Sequence, residues 1–85
     1  MTWTLLFARR VRKQLERFPA EDQRRILAAL QSMTEDPLGG DIARLKDQPA
    51  AWRRRVGSYR IFFDLYQEQR LIEVIDVRRR TSTTY

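Results

Sequence analysis

Two strand-like segments separated by only two residues constrain the fold of this chain more than any other feature. Residues 59–65 are rich in aromatic and apolar side chains that suit a strand, and residues 52–56 place Trp52 and Val56 on either side of three arginines. Gly57 and Ser58 between them fit a type II′ turn, which needs glycine at its first loop position. So short a loop predicts an antiparallel hairpin in which Val56 lies opposite Tyr59.

The residues before this hairpin change their hydrophobic period from two to about 3.6. Residues 2–7 alternate and predict a short strand. From Ala8 the apolar residues recur at helical spacing as far as Pro19, which interrupts the pattern and suits the start of a second helix. That helix is predicted to end at residues 37–40, where proline and glycine cluster. Its expected buried stripe is Ile26, Leu27, Leu30 and Met33.

The remaining segments complete a predicted order of β-α-α-β-β-β. Residues 41–51 are expected to be a polar connection, and residues 67–70 a second turn. Residues 71–77, LIEVIDV, predict an interior strand, and residues 78–85 a polar tail. Helices followed by strands predict an α+β fold, with a helical hairpin packed on a small, mainly antiparallel sheet. The length predicts one domain over residues 1–85.

Alternation divides the arginines of the hairpin between its two faces. Arg53 and Arg55 point to one face, and the predicted register puts Arg55 opposite Arg60 on that same face. Directly opposed like charges destabilise a sheet. The arrangement therefore favours a preorganised anion site formed by these three arginines.

Two points about this face stay open at the level of sequence. A solvated face whose charges are neutralised by Asp64 and Asp76 is the alternative to an anion site. Arg54 falls on the opposite face, where a core residue is expected. We expect its side chain to extend past Trp52 or to stack on it.

Composition narrows the possible chemistry. The 85 residues include no histidine and no cysteine, which excludes a Ser-His-Asp triad, a Cys-His pair and a zinc site, and predicts a site without metal or cofactor. The net charge is +6, and all 17 basic residues are arginine except Lys13 and Lys46. Because a guanidinium binds phosphate through two hydrogen bonds and stacks on bases, a polyanion partner is favoured. No apolar run reaches the ~18 residues of a membrane span, so we expect a cytoplasmic protein that does not bind membrane.

The end of the sequence adds further candidates. Arg78, Arg79 and Arg80 follow the last predicted strand, and Tyr85 closes the sequence. If that strand lies beside the hairpin, these residues can reach the arginine face. Nearby positive charge favours the phenolate form of a tyrosine, so Tyr85 is a candidate general base or proton shuttle. The alternative is an ordinary surface tyrosine.

Two segments resemble a known family. PLGGDIARLKDQPAAWRRRVGSYRIFFDL and IEVIDVRRRTSTTY, in the order β-α-α-β-β-β, resemble the RelE/ParE superfamily of toxins from bacterial toxin–antitoxin systems. The resemblance covers nearly the whole chain, and its most specific element is the pattern R-x-R-V-G-x-Y-R at residues 53–60. RelE-type members cut mRNA in the ribosomal A site with the RNA's own 2′-OH and no metal. The resemblance thus implies an mRNA endoribonuclease that acts on the ribosome, with a cognate antitoxin as its partner.

The resemblance also implies roles for individual residues. Those implied as catalytic are Arg53, Arg55, Arg60, Arg80 and Tyr85. Beside these, Arg54, Arg78 and Arg79 are predicted to bind RNA, as further arginines of the hairpin and of the end of the last strand. The family's arginine after the last strand falls at Arg79 or Arg80, and the pattern leaves this choice open.

One departure from the family bears on the mechanism. RelE-type members carry lysines where this chain has Arg53 and Arg55. An arginine cannot act as a base, so these two residues are expected to clamp RNA and stabilise charge. The base is then Tyr85 or a group that the sequence does not identify.

Other functions remain open within the same resemblance. ParE-like members share the fold but bind DNA gyrase and cleave nothing, and a gyrase inhibitor is the main alternative. The ending at Tyr85 favours the nuclease. A third possibility is an inert basic domain whose arginines meet an acidic antitoxin.

Overall fold

In the part of the chain that the structure describes, two helices pack on one five-stranded sheet. The chain is described from residue 2 to residue 79 by a computed structural model. The strands are β1 (Thr4–Phe7), β2 (Asp41–Arg44), β3 (Trp52–Val56), β4 (Tyr59–Tyr66) and β5 (Leu71–Arg79), and the helices are α1 (Arg9–Glu16) and α2 (Ala20–Glu35). The sheet order is β1-β5-β4-β3-β2, with β1 parallel to β5 and every other neighbouring pair antiparallel. The predicted α+β architecture is therefore confirmed.

Two segments differ from their predicted form. The expected polar connection at residues 41–51 begins with β2, which pairs antiparallel with β3 and makes a fifth strand. β2 is hard to recognise because its four residues include two charged ones, so pairing with β3 rather than intrinsic preference holds it extended. β5 continues to Arg79, so the first two residues of the predicted tail are strand residues paired with β4.

The core lies between α2, α1 and one face of the sheet. From α2 it receives Ile26, Ala29, Leu30 and Met33. These four positions have the i, i+3, i+4, i+7 spacing of one helical face. Leu27 lies outside that spacing and is 47% exposed, so its predicted burial is wrong. The buried residues of the sheet are Tyr59, Ile61, Phe63, Ile72, Val74 and Val77.

A β-bulge in β5 decides which of its side chains face the core. Phe63 pairs with Val74, but Phe62 pairs with Asp76, so β5 contains one extra residue at this point. Strict alternation from Val74 would turn Asp76 towards the core together with Arg78. The extra residue turns both to the outer face, the face of the sheet opposite α2. The face that α2 covers is called the helix face.

Candidate functional site

The hairpin has the predicted register. Gly57 adopts a φ of +58°, as the first loop position of a type II′ turn requires. Val56 pairs with Tyr59, and Arg55 lies directly opposite Arg60. The short loop therefore places two guanidinium-bearing side chains side by side on the outer face.

A third arginine extends this pair across the sheet. Arg78 of β5 pairs with Arg60 of β4, so Arg55, Arg60 and Arg78 form a line across three adjacent strands, which we call the arginine row. Neighbouring strands are about 4.8 Å apart. Arg53 lies on the same face, two residues from Arg55. The outer face thus carries four permanent cations within a small area.

One exposed carboxylate partly neutralises the β3 end of this cluster. Asp41 pairs with Arg55 across β2 and β3. Its Oδ1 lies 3.4 Å from Nη1 of Arg53, and its Oδ2 lies 3.6 Å from Nε of Arg55. Asp41 was not among the predicted site residues, because residues 41–51 were expected to form a loop and not a strand beside β3. Asp64, which the sequence suggested for this role, instead accepts a hydrogen bond of 2.6 Å from the backbone N–H of Ala51.

The centre of the arginine row is not neutralised. Arg60 is half-buried, and its Nε is buried without a hydrogen-bond partner. Among residues 2–79, no carboxylate lies within 4.0 Å of its guanidinium. Because this guanidinium is a permanent cation with no neighbouring carboxylate, the position favours an anion that accepts hydrogen bonds from it.

A buried carboxylate fixes the other end of the row. Asp76 is 6% exposed and accepts hydrogen bonds from Nε2 of Gln14 and, at 2.7 Å, from Nε of Arg78. Gln14 also accepts a hydrogen bond of 2.9 Å from the backbone N–H of Val77. Burial alone raises the pKa of Asp76, but the hydrogen bonds from Gln14 and Arg78 and the charges of Arg78 and Arg10 outweigh it, so the pKa lies below its ordinary value.

Arg54 points away from the row, towards α2. Its Nη1 donates a hydrogen bond of 3.0 Å to Oγ of Ser32. Gly40, with a φ of +84°, lies so close that a Cβ there would be 2.9 Å from Cζ of Arg54. Of the two expected placements, stacking on Trp52 is not the one found: the guanidinium over that ring is that of Arg44, 5.2 Å from the ring centroid. This placement favours a structural role for Arg54 over contact with RNA.

Arg79 also lies on the helix face. It pairs with Tyr59, and its guanidinium is 5.8 Å from the centroid of that ring. The Tyr59 hydroxyl donates a hydrogen bond of 2.7 Å to Asp22, and the ring packs against Phe18 at 4.6 Å. Burial, together with the hydrogen bond to Asp22, raises the pKa of Tyr59, which keeps this phenol neutral. Tyr59 therefore holds the start of α2 against the sheet.

The structure separates the predicted site residues into three groups. Arg53, Arg55, Arg60 and Arg78 lie together on the outer face, whereas Arg54 and Arg79 lie on the helix face. Arg80 and Tyr85 lie outside the described residues. The four outer-face arginines can bind a phosphate group and stabilise charge that develops on it.

Two structural features are absent from residues 2–79. No three side chains of the kinds that ligate metals are grouped closely enough to hold an ion within that range. Neither of the two helices in that range is long and apolar enough to cross a membrane.

A family model and several solved structures match this chain. Residues 5–83 match the family described as "ParE toxin of type II toxin-antitoxin system, parDE". No curated protein matches the chain.

Several solved structures share the fold. A chain of the archaeal RelE–RelB complex from Pyrococcus horikoshii superposes with a TM-score of 0.84 at 22% identity, covering 98% of this chain and 100% of that one. A chain of the RelBE2 toxin–antitoxin complex from Mycobacterium tuberculosis gives 0.81 at 20% identity, covering 94% and 100%. The isolated Escherichia coli RelE toxin gives 0.79 at 18% identity, covering 95% and 87%.

Proposed function

Since the chain belongs to the ParE family of toxins from type II toxin–antitoxin systems, we propose that this toxin cleaves mRNA on the ribosome and that its outer-face arginines bind the cleaved phosphate. The observation that carries this proposal is the arginine row with an unneutralised centre at Arg60. If these positions served only to keep the surface soluble, carboxylates opposite the arginines would stabilise the sheet more than further arginines do. Because the proposed substrate is mRNA on the ribosome, we expect the protein to act in the cytoplasm.

The proposed reaction is attack by the RNA on itself. The 2′ oxygen forms a bond to the neighbouring phosphorus, and the bond from phosphorus to the 5′ oxygen breaks. The products are a 2′,3′-cyclic phosphate and a free 5′ hydroxyl. Negative charge increases on the phosphate oxygens in the transition state, and fixed guanidinium groups at Arg55, Arg60 and Arg78 stabilise it there without reorganising.

The proton transfers require a group other than arginine. We propose that the phenolate of Tyr85 accepts the proton of the 2′ hydroxyl, and that the leaving 5′ oxygen takes a proton from solvent. Arg53 and Arg55 hold the phosphate but cannot accept a proton. Asp41 and Asp76 keep this concentration of charge compatible with a folded sheet, because each neutralises arginines at one end of the cluster.

Mapping of mRNA 5′ ends after expression from a tightly controlled promoter tests the proposal. We expect new 5′ ends at a constant position within codons, since the ribosome would present the mRNA in frame. Arg60→Ala should abolish these ends, whereas Tyr85→Phe should reduce them strongly and leave the fold intact. Intact mRNA in cells whose growth has stopped would contradict the proposal.

Inhibition of DNA gyrase is the second candidate, and the match to the ParE toxin family favours it. In that case the arginines would contact protein rather than RNA, and no nucleic acid would be cut by this chain. The same cells distinguish the two functions. Double-strand DNA breaks and an SOS response with intact mRNA support gyrase as the target.

A cognate antitoxin is the expected protein partner, because the family consists of toxins from type II toxin–antitoxin systems. We propose that an acidic or amphipathic segment of the antitoxin covers either the arginine row or the helix pair. An acidic segment over the row would neutralise the charges at Arg55, Arg60 and Arg78. Copurification that is lost between 0.1 and 1 M salt in the wild type, and already at lower salt in Arg60→Gln, would support contact at the row.

A further inference from the structure

An aromatic ring lies in the middle of the polar outer face. Phe62 is half-buried and lies between Arg53 of β3 and Asp76 of β5 in the cross-strand pairing. The guanidinium of Arg78 is 5.7 Å from the centroid of this ring. The ring is only partly covered, and an aromatic surface among arginines can stack on a nucleobase.

A pocket opens beside this ring. Its volume is about 90 Å³, more than enough to admit a water molecule. Phe62, Ile75 and Asp76 line it from the sheet, Arg10 borders it from α1, and residues 48–50 border it from the β2–β3 loop. The pocket accommodates the edge of a planar ring, while the rest of that ring would cover Phe62.

The carboxylate of Asp76 is held in a fixed position in this pocket and can accept further hydrogen bonds. Each oxygen of Asp76 accepts one hydrogen bond, from Gln14 on one side and from Arg78 on the other. A carboxylate oxygen can accept two. One further acceptor position therefore remains on each oxygen, and an ionised carboxylate offers no donor.

We propose that Phe62 and Asp76 form a subsite for the nucleobase next to the cleaved phosphate, with the base stacked on Phe62 and its exocyclic amino group donating to Asp76. This inference rests on the proposed RNA cleavage. Phe62 is two residues from Arg60 along β4, about 6.8 Å, so a phosphate on the arginine row and its own base on Phe62 are within one nucleotide of each other. Adenine, cytosine and guanine carry the required amino group, whereas uracil does not.

The frequency of each base at the cut tests this subsite. In the mapped mRNA 5′ ends, we expect uracil to be at least about fivefold under-represented at one position adjacent to the cut in the wild type. Asp76→Asn should remove this bias, because an amide offers both a donor and an acceptor. Glu73→Gln is the matched control. It changes the charge equally on the same strand, keeps the hydrogen bond from Tyr66, and should leave the bias unchanged.

A second variant covers the case in which Asp76→Asn does not fold, which circular dichroism would show. Phe62→Leu keeps an apolar side chain but removes the stacking surface. It should slow cleavage by about fivefold or more and reduce the uracil bias as well. Circular dichroism and thermal melting of the purified variant establish that its fold is retained.

The outcomes distinguish this inference from the proposed function. Ribosome-phased cuts with the same base frequencies in the wild type and in a folded Asp76→Asn or Phe62→Leu variant would overturn the subsite and leave the nuclease standing. A wild-type chain that makes no cuts would overturn both. Loss of the uracil bias in a folded Asp76→Asn variant that still cuts mRNA would support both the subsite and the nuclease.

Discussion

Replacing Arg60 by glutamine should weaken RNA binding in a way that can be separated from any effect on folding. Arg60 lies at the centre of the arginine row, on the outer face. Arg54, only six positions earlier in the chain, donates to Ser32 on the opposite face of the same sheet. Arg54→Gln is therefore a matched control that removes the same charge without removing a phosphate contact.

The expected magnitude follows from the number of phosphate contacts. If Arg53, Arg55, Arg60 and Arg78 bind the cleaved phosphate and its neighbours in the strand, and each neutralises one charge, the affinity for single-stranded RNA should fall with a log–log salt slope of about −2.8. Between 50 and 200 mM salt this is about a 50-fold loss of affinity. Arg60→Gln should reduce the slope to about −2.1 and the loss to about 20-fold, whereas Arg54→Gln should leave both unchanged.

Fluorescence anisotropy of a labelled, fully 2′-O-methylated RNA oligonucleotide measures these slopes, since that RNA cannot be cleaved by 2′ attack. Circular dichroism of each variant confirms that the protein used is folded. Equal slopes for Arg60→Gln and the wild type would refute phosphate binding at the row. An equal reduction by Arg54→Gln would refute the division of the arginines between two faces.

Three further predictions concern stability. Gly40→Ala should lower the free energy of unfolding by about 3 kcal/mol, because a φ of +84° strains alanine and its Cβ would displace the Arg54 guanidinium; an unchanged urea midpoint would contradict this. Tyr59→Phe should lower it by about 1.5–3 kcal/mol through loss of the hydrogen bond to Asp22, and a difference near zero in the same urea titration would show that this bond contributes nothing. Since the pKa of Asp76 lies below the usual 3.8, its ionised form stabilises the fold above that pH, and this contribution is lost as the pH falls further. Thermal melts in acid should therefore decline less steeply for Asp76→Asn, and parallel curves would contradict the assignment.

Much of the site could be predicted because its geometry depends on local rules. A two-residue loop with glycine at Gly57 allows one hairpin register, and alternation then places Arg53, Arg55 and Arg60 on one face. The same alternation correctly separated Arg54 from them. Nothing beyond the hairpin's own residues was needed for this part of the site.

The partners of these arginines could not be predicted, because they come from distant parts of the chain. Asp41 reaches Arg53 and Arg55 only because β2 adds to the edge of β3, and β2 has little strand preference of its own. Gln14 reaches Asp76 across 62 positions of sequence, where α1 meets the part of β5 beyond the end of β1.

Periodicity and turn chemistry over a few neighbouring residues are enough to predict the α+β architecture, the hairpin register and the shared face of three arginines. Which residues of β5 join these arginines depends on how the sheet assembles. Strict alternation from Val74 directs Arg78 towards the core, and the bulge opposite Phe62 and Phe63 directs it to the outer face instead. The physical reason is that a bulge is stabilised by pairing with a neighbouring strand, so the side chains of β5 are oriented by contacts that form only when the sheet assembles.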